Sequence, residues 1–263
     1  MERSRTIPPV KPGLQQLHAW VINLDRAPER LARIAAQLER LGLPWTRLAA
    51  VDARALTDAQ RAALDTPAYE RKHGKTPALG ELGCYLSHVE VMRAFLASTH
   101  EFALVLEDDV ILHDTLPAVL QGLVAHADRC DVAKLSAVHS GTPVPYLEVA
   151  PGHRLAVMLS RCTGSSAYLM NRRAAEVYLR DLLPMSLPYD HVFDQGWRFG
   201  LKFRLVTPTP CGHDEEIPTT IVSTGTRKFH WTKRLPTYAY RLRNEARRVA
   251  YGLTQALREK LAG

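Results

Sequence analysis

Three adjacent carboxylates, Glu107, Asp108 and Asp109, interrupt an apolar run in the stretch FALVLEDDVIL, residues 102–112. Clustered acids repel one another and resist losing water, so we expect a compensating positive charge beside them. Carboxylates are hard oxygen ligands that suit Mg²⁺ or Mn²⁺, and these ions typically keep coordination positions open for phosphate groups. The cluster therefore indicates a divalent-cation site. The alternative is a polar turn whose acids cap a helix or pair with nearby bases.

Strand-like apolar runs and helical periodicities alternate around these acids. We predict strands at residues 17–24, 44–53, 102–107, 131–137, 155–159, 166–170 and 202–211. We predict helices at residues 25–43, 57–65, 79–98, 116–127, 171–182 and 187–201, and a polar loop at 66–78. The helix at 79–98 is expected to pack through one face, because its larger apolar side chains recur at helical spacing. The alternation favours an α/β architecture with a largely parallel sheet, in which ligands lie beyond the carboxyl ends of the strands.

The net charge of +7 is unevenly distributed along the 263 residues. Residues 233–263 carry +6 and residues 1–11 carry +2, so the remaining body is nearly neutral. A basic tail could contact nucleic acid through phosphates, but the neutral body and the apolar setting of the acids disfavour that function, and we expect no nucleic acid as partner. An alternative class is a non-catalytic interaction protein.

The basic tail has the pattern of an amphipathic helix. Apolar residues step along it at helical intervals between arginines; they are Tyr238, Leu242, Ala246, Val249, Leu253, Leu257 and Leu261. Such a helix suits an anionic membrane surface. The alternatives are a helix that packs back on the body and a solvated extension.

The sequence also yields an expectation about location. The first residues contain no continuous apolar segment of the kind found in secretory signals, and no stretch approaches the length of a membrane span. The four cysteines lie far apart without a CxxC pair. We therefore expect a cytoplasmic protein, held by its C-terminal helix on the inner face of the cytoplasmic membrane.

Several segments together resemble glycosyltransferase family 25, which includes bacterial lipooligosaccharide galactosyltransferases and proteins that glycosylate collagen hydroxylysine. The segments, in order, are WVINLDRAPERLARIAAQLERLGL, LGELGCYLSHVEVMRAFL, ALVLEDDVIL, GSSAYLMNRRAAEVYL and PYDHVFD, and the resemblance covers roughly residues 19–224. It implies a GT-A-type, Rossmann-like nucleotide-sugar-binding domain, a UDP-sugar donor and a Mn²⁺ or Mg²⁺ ion. It also implies inversion to a β-linked product. The transferred hexose would be galactose, and the acceptor a glycan such as lipooligosaccharide or a lipid-linked saccharide.

The resemblance assigns the acid cluster to the place of a DXD motif. Asp109 would coordinate the ion, with Glu107 as a second metal residue, while Glu107 and Asp108 would act through water or the donor ribose. Residues of the opening motif would contact uridine or pair with the diphosphate; they are Asn23, Asp25, Arg26 and Arg30. As alternatives, Asp25 could cap the following helix, and the two arginines could decorate its outer face.

The other motifs supply the remaining roles. Ser87 and His88 would support the donor or the metal, although a histidine on an apolar helix could also be a core residue. Inverting transfer needs a general base, and Asp190 is the candidate, with Asp194 in reserve, four residues on and so on one helical face. The helix dipole alone could account for Asp190. The acceptor residues would be Gly164, Ser165, Ser166 and His191, although the Gly-Ser run could equally form a turn.

We therefore divide the chain into three parts. Residues 1–18 form an N-terminal extension, residues 19–232 the GT-A-like domain, and residues 233–263 the basic C-terminal helix. The function expected is transfer of a hexose from a UDP-sugar, and the alternative is a glycosyltransferase-like interaction protein without activity.

Overall fold

A central sheet flanked by helices forms the fold in the computed structural model, which describes residues 13–213 and 227–262. The strands are β1 (Leu17–Asn23), β2 (Trp45–Ala49), β3 (Phe102–Glu107), β4 (Val110–Leu112), β5 (Val132–Lys134), β6 (Pro143–Ala150), β7 (His153–Met158), β8 (Ala167–Asn171), β9 (Phe203–Thr207) and β10 (Cys211–His213). The helices are α1 (Pro28–Leu41), α2 (Asp58–Ala62), α3 (Thr66–His73), α4 (Leu79–Ala97), α5 (Leu116–Ala125), α6 (Arg172–Asp181), α7 (Tyr189–Val192), α8 (Gly196–Phe199) and α9 (Leu235–Ala262). Residues 1–12 of the predicted extension and 214–226 of the predicted transferase domain lie outside the described residues.

The main sheet has eight strands in the order β2-β1-β3-β8-β5-β9-β7-β6, and β4 pairs with β10 beside it. Strand β1 runs parallel to β2 and β3, and β5 runs parallel to β9, but the other four pairings are antiparallel. The prediction of a largely parallel sheet is therefore wrong, and the sheet is mixed. The cause is that β6, which the sequence analysis missed, β7 and β8 follow one another without a helix, so that β6 and β7 form a hairpin.

The parallel part of the sheet positions the acid cluster. In the pairing of β1 with β3, Ile22 lies opposite Glu107, so both strands end at the same edge. Residues 103–106 are fully buried, because alternate side chains pack under α4 on one face of the sheet and under α1 and α5 on the other. The predicted position of the acids at the carboxyl end of a buried strand is confirmed.

Helix α4 matches the helix predicted at 79–98, but it does not pack through a single face. Buried residues occur around most of its circumference, including Leu82, Tyr85 and His88. At Gly83 an added Cβ would lie 2.7 Å from the carbonyl oxygen of Val51, so this helix and the chain after β2 are in close contact. The helix is therefore enclosed by the sheet, by α6 and by the segment that follows β2.

Two other predicted elements differ from the structure. The predicted polar loop at 66–78 contains α3, whose start is capped by Asp65 accepting from the Ala68 N–H, and Gly74 ends it at a φ of 78°. The single helix predicted at 187–201 is two short helices, α7 and α8, of which the second ends at Gly200 as expected. Because α7 ends at Val192, Asp190 and Asp194 do not share a helical face.

Helix α9 packs on the body through polar and charged side chains. Arg248 forms two hydrogen bonds with Asp194, at 2.6 and 3.1 Å, and Glu259 accepts from Arg204 at 2.7 Å. The residues of the predicted apolar stripe point the other way, and their exposed fractions reach 76% at Leu242 and 79% at Leu261. The body therefore holds the polar face of α9 and leaves its apolar stripe uncovered. Among the described residues, no helix combines the length and apolarity needed to cross a membrane.

Removing the partner of Arg248 tests how α9 is attached. We expect Asp194→Ala to lower the free energy of unfolding by about 3–5 kcal/mol, because it leaves a buried guanidinium without its counterion. Urea denaturation followed by circular dichroism measures the loss. The control is Asp181→Ala, which removes the partner of the exposed Arg180 and should have a much smaller effect. Equal losses in the two variants would contradict the assignment.

Candidate active site

Arg30 supplies the positive charge that the acid cluster requires. This buried side chain lies on the inner face of α1, and its Nη2 is 2.5 Å from Asp108 Oδ1 and 3.0 Å from Asp109 Oδ2. Asn23, at the end of β1, donates from Nδ2 to Asp108 Oδ2 at 2.6 Å. The alternative that Arg30 decorates the outer face of α1 is therefore wrong. Its guanidinium neutralises the acids at the wall of a cavity.

The three acids differ in their electrostatics. Burial raises the pKa of Asp108, partly offset by Asn23 and Arg30. Burial together with the charge of Glu107 raises the pKa of Asp109 to about 6, against the opposing effect of Arg30. Burial would also raise the pKa of Glu107, but His88 and Ser165 reverse the shift and hold it below the ordinary value. Asp109 Oδ1 is buried and has no hydrogen-bond partner.

A first cavity opens at the carboxyl ends of β1 and β3. Its walls bring together most of the predicted donor residues; they are Ile22, Leu24, Arg26, Arg30, Ala50, Val51, Ala53, Gly80, Cys84, Ser87, His88, Glu107, Asp108 and Asp109. Asp25 does not line it: the side chain is exposed and pairs with Arg47, and Ala27 occupies the N-cap of α1, so the capping alternative is wrong as well. Arg26 lines the cavity and pairs with Asp52.

Ser87 has a structural task at the edge of the first cavity. Its hydroxyl donates to the Gly83 carbonyl at 2.7 Å and accepts from the Val51 N–H at 2.9 Å. The bond with Val51 fixes the segment after β2 on helix α4, and the bond with Gly83 lies within the helix. The residue lies in the predicted cavity, but its hydroxyl is engaged with the backbone and shapes the cavity wall.

His88 lies at the centre of an aromatic cluster. Its ring stacks on Tyr189 with centroids 4.0 Å apart, and Nδ1 is hydrogen-bonded to the Tyr168 hydroxyl at 3.0 Å. The other ring nitrogen, Nε2, lies 3.4 Å from Glu107 Oε1. The side chain is fully buried and is thus a core residue, and its Nε2 is directed at the acid cluster without a hydrogen-bond partner among the described residues.

A second cavity lies on the other side of the acids. It is lined by Glu81, Cys84, Glu107, Asp109, Val138, Gly164, Ser165, Ser166, Pro188, Tyr189, Asp190 and His213. It shares Cys84, Glu107 and Asp109 with the first cavity. Within it, the Gly164 N–H donates to Asp190 Oδ2 at 3.2 Å, and Ser165 donates to Glu107 at 3.3 Å.

Two predicted site residues lie outside this second cavity. His191 Nε2 is 4.0 Å from Asp190 Oδ1, but the ring lines a separate small cavity with His73 and Arg161. Asp194 is buried against Arg248 and has no place in the cleft, so its role as reserve base does not fit the structure. The spacing of four residues places Asp194 beside Asp190 only if both belong to the single helix predicted at 187–201.

Sequence reasoning missed three residues of the site. Glu81 and Cys84 precede His88 on α4, and Cys84 is one helical turn before it, a spacing that could have indicated a common face. Cys84, His88 and Glu107 have ligand atoms within 4.8 Å of one another. Burial raises the pKa of Cys84, which favours the thiol over the metal-binding thiolate. His213, in β10, is hydrogen-bonded to Ser166 at 2.7 Å, a contact between residues distant in sequence that no local pattern indicates.

The fold and the site together define a class. An α/β structure with a large central sheet, and with acids between two cavities at the carboxyl edge of its parallel strands, is consistent with a Rossmann-like glycosyltransferase. The family model described as glycosyltransferase family 25 (LPS biosynthesis protein) matches residues 16–193, more than half of the chain. The chain belongs to glycosyltransferase family 25.

Curated relatives come from insects and mammals. A glycosyltransferase 25 family member of Aedes aegypti is 36% identical over 40% of this chain and 18% of its own length. Procollagen galactosyltransferase 2 of Homo sapiens is 30% identical over 47% of this chain and 20% of its own length. The probable inactive glycosyltransferase 25 family member 3 of Rattus norvegicus is 32% identical over 44% of this chain and 21% of its own length. The matched part of the chain thus spans about a fifth of the length of these relatives.

The comparisons correct the expected location. Relatives from insects and mammals, two of them named procollagen galactosyltransferase 2, are not bacterial cytoplasmic proteins. The expectation of a cytoplasmic protein on the inner face of the cytoplasmic membrane is therefore wrong. Cysteine spacing and the composition of the first residues do not indicate where in the cell the protein is located.

Arg30→Met tests the electrostatic balance of the acid cluster. At pH 8 we expect it to lower the free energy of unfolding by about 3 kcal/mol or more, because two largely buried carboxylates lose their cation. The folded-state pKa of both acids then rises further above its unfolded value, so the folded state binds more protons and regains stability as the pH falls. The deficit should therefore be smaller at pH 5.

Urea denaturation at the two pH values measures this deficit. Arg40→Met is the control, because Arg40 also lies on α1 but pairs with the exposed Asp114. It should show a small and pH-independent change. A deficit for Arg30→Met that does not shrink at pH 5 would contradict the coupling.

Proposed function

We propose that the chain is an inverting, metal-dependent hexosyltransferase of the GT-A type, which moves galactose from a UDP-sugar to a glycan acceptor. The observation that carries the proposal is the position of Glu107 and Asp109 between two cavities. One cavity would hold the donor and the other the acceptor, with the acids at the point where the sugar is transferred. Family membership and the procollagen galactosyltransferase relatives support the reaction and the sugar.

The acid cluster fits a hard divalent cation. Asp109 presents a buried oxygen without a hydrogen-bond partner, and Glu107 keeps its low pKa beside it. A cation would also favour the charged form of Asp109, whose pKa is raised by burial and by Glu107. We therefore assign Asp109 and Glu107 as the residues that would hold Mn²⁺ or Mg²⁺. The bound ion would stabilise the charge that develops on the departing diphosphate.

The residues around the first cavity would orient the donor. Arg26 lies at its rim, where a guanidinium can contact phosphate or ribose oxygens. Asn23 and Asp108 are hydrogen-bonded to each other below the cavity and would keep Asp109 in place. His88 would hold Glu107 through Nε2, so its role would be to position a metal residue.

Asp190 is the proposed general base. The Gly164 N–H holds one carboxylate oxygen, and the carboxylate faces the second cavity with Glu107 and Asp109. It would accept the proton of the attacking hydroxyl, while Ser165 and Ser166 contact the acceptor sugar. Attack from the second cavity, opposite the departing diphosphate, would give the inverted, β-linked product.

The acceptor is proposed by class. The family description points to lipopolysaccharide, whereas relatives are named procollagen galactosyltransferases, so glycans on lipid intermediates and procollagen are both acceptors to test. A second candidate function is an interaction protein without activity, because the rat relative is named as probably inactive.

The first experiment is release of UDP from a panel of UDP-sugars with Mn²⁺ and with EDTA. We expect one UDP-sugar to turn over and EDTA to abolish turnover. Asp109→Asn should lose metal-dependent UDP binding. Asp190→Asn should keep UDP binding but slow transfer by about 10²- to 10⁴-fold, the usual contribution of a general base.

Asp114→Asn is the matched control, because this exposed acid pairs with Arg40 outside both cavities and its loss should leave turnover unchanged. Absence of turnover, together with UDP binding that is independent of metal in every variant, would support the interaction protein and overturn the proposed reaction.

We also propose that the apolar stripe of α9 meets an anionic lipid surface. The stripe is exposed along the helix, and arginines lie along one side of it. This combination matches a bilayer surface, where apolar side chains enter the acyl boundary and cations meet anionic headgroups.

Sedimentation with phosphatidylglycerol vesicles tests this surface. We expect Leu253→Ser/Leu257→Ser to weaken binding at least tenfold, since each leucine would withdraw about 1.5–3 kcal/mol of apolar burial. Leu79→Ser/Ile111→Ser is the control, because these two residues are similarly exposed but lie elsewhere. Unchanged binding of the α9 variant, or equal loss in the control, would contradict the proposal.

A further inference from the structure

A large basic groove lies between α8 and α9, apart from the two cavities of the candidate site. Its volume is about 1020 Å³. The basic residues that line it are Lys72, Arg173, Arg198, Lys202, Arg243, Arg247 and Arg258, and no acid is among its lining residues in the described part of the chain. We call this feature the α9 groove. Arg173 is paired with Asp131 at 2.7 Å, and the other six cations concentrate positive potential in one concave place.

The arginines of α9 fall into two groups. Arg248 pairs with the buried Asp194, and Arg241 donates to the His73 carbonyl at 3.1 Å, so both attach the helix to the body. Arg243, Arg247 and Arg258 are exposed in the groove, and none of them forms an ion pair or hydrogen bond with any residue in 13–213 or 227–262. Their guanidinium donors are therefore free for an external ligand.

The other cations add to the positive potential of the groove. Lys72 donates to Ser186 and Lys202 donates to the Asp128 carbonyl, so neither has a counterion in those bonds. Burial and the neighbouring charges of Arg198 and Arg71 lower the pKa of Lys72, which is the electrostatic effect of cations crowded on one surface. Planar guanidiniums arranged in this way recognise phosphate oxygens through paired hydrogen bonds.

A smaller cavity adjoins the groove. It is lined by Lys72, His73, Arg161, Leu187, His191, Tyr240, Arg241 and Asn244. Lys72, Tyr240 and Asn244 line the groove as well, and His191 directly follows Asp190. The basic surface of the groove therefore extends to the residue next to the proposed base.

We propose that the α9 groove binds phosphate groups carried by the acceptor, and that the acceptor is a phosphorylated saccharide whose reacting hydroxyl reaches Asp190. The assignment of the ligand as acceptor rests on the proposed transferase function. The binding of phosphate by Arg243, Arg247 and Arg258 does not. The groove would then select acceptors by their charge, at a distance from the bond that is formed.

The first test measures binding of inorganic tripolyphosphate by calorimetry, without donor or metal. Arg243→Glu/Arg247→Glu should weaken binding at least tenfold. Arg61→Glu/Lys260→Glu makes the same change of net charge at exposed residues that do not line the groove, and should bind like the parent. Since all four residues are exposed, the melting temperature should stay near that of the parent. Retained binding in the groove variant, or equal loss in the control, would overturn the site.

The second test uses a phosphorylated oligosaccharide acceptor, freed of lipid, and the same acceptor after phosphatase treatment. The groove variant should raise KM at least tenfold for the phosphorylated form only. The slow hydrolysis of the UDP-sugar without acceptor should be unchanged, because the groove does not touch the donor cavity. An unchanged KM would overturn the acceptor assignment.

The two tests separate the possible failures. If the parent neither hydrolyses nor transfers any UDP-sugar, the proposed function fails, and tripolyphosphate binding still decides on the groove. If the parent ignores tripolyphosphate and binds only phosphatidylglycerol vesicles through these arginines, the groove belongs to the lipid-facing surface of α9. That outcome overturns the phosphorylated acceptor.

Discussion

The ion pairs of Arg30 with Asp108 and Asp109 are the constraint on which the candidate site depends. They join the start of α1 to the turn after β3, and Asn23 adds a hydrogen bond from the end of β1. Without a cation, three adjacent acids could not remain at the end of a buried strand. Because Arg30 neutralises Asp108 and only one oxygen of Asp109, the remaining oxygens of Asp109 and Glu107 stay directed at the cavities. The same interaction therefore stabilises the fold and leaves these carboxylate oxygens available to a ligand.

Some arginines of the chain attach α9 to the body, and others are left unpaired in the α9 groove. Arg204 and Arg248 are buried and paired with acids, so they serve the attachment of the helix. Arg243, Arg247 and Arg258 of the α9 groove have no such partners among the described residues, and they carry part of the basicity noted in the C-terminal sequence. The near-neutral remainder of the chain carries the sheet and the two cavities.

Local sequence patterns were sufficient to predict the helices and strands that depend on neighbouring residues alone. The end of β3, helix α1 and the long helix α4 follow from apolar periodicity and from stop signals such as Gly42. The mixed order of the sheet was not predictable in this way, because β8 lies between β3 and β5, far from both in sequence. The same limit applies to single residues. Ser87 is engaged by the backbone of Val51, and Asp194 by Arg248, and neither partner is near in sequence.

Helix α9 presents one side to the body and another to the solvent, and few of its side chains serve both. Its attachment uses buried polar residues such as Thr237, Asn244 and Gln255, while Leu242 and Leu253 face outwards. Substitutions on the outer side therefore leave the folded body intact. In evolutionary terms, the outer side is free to change what this helix meets, one residue at a time, without loss of the contacts that hold it.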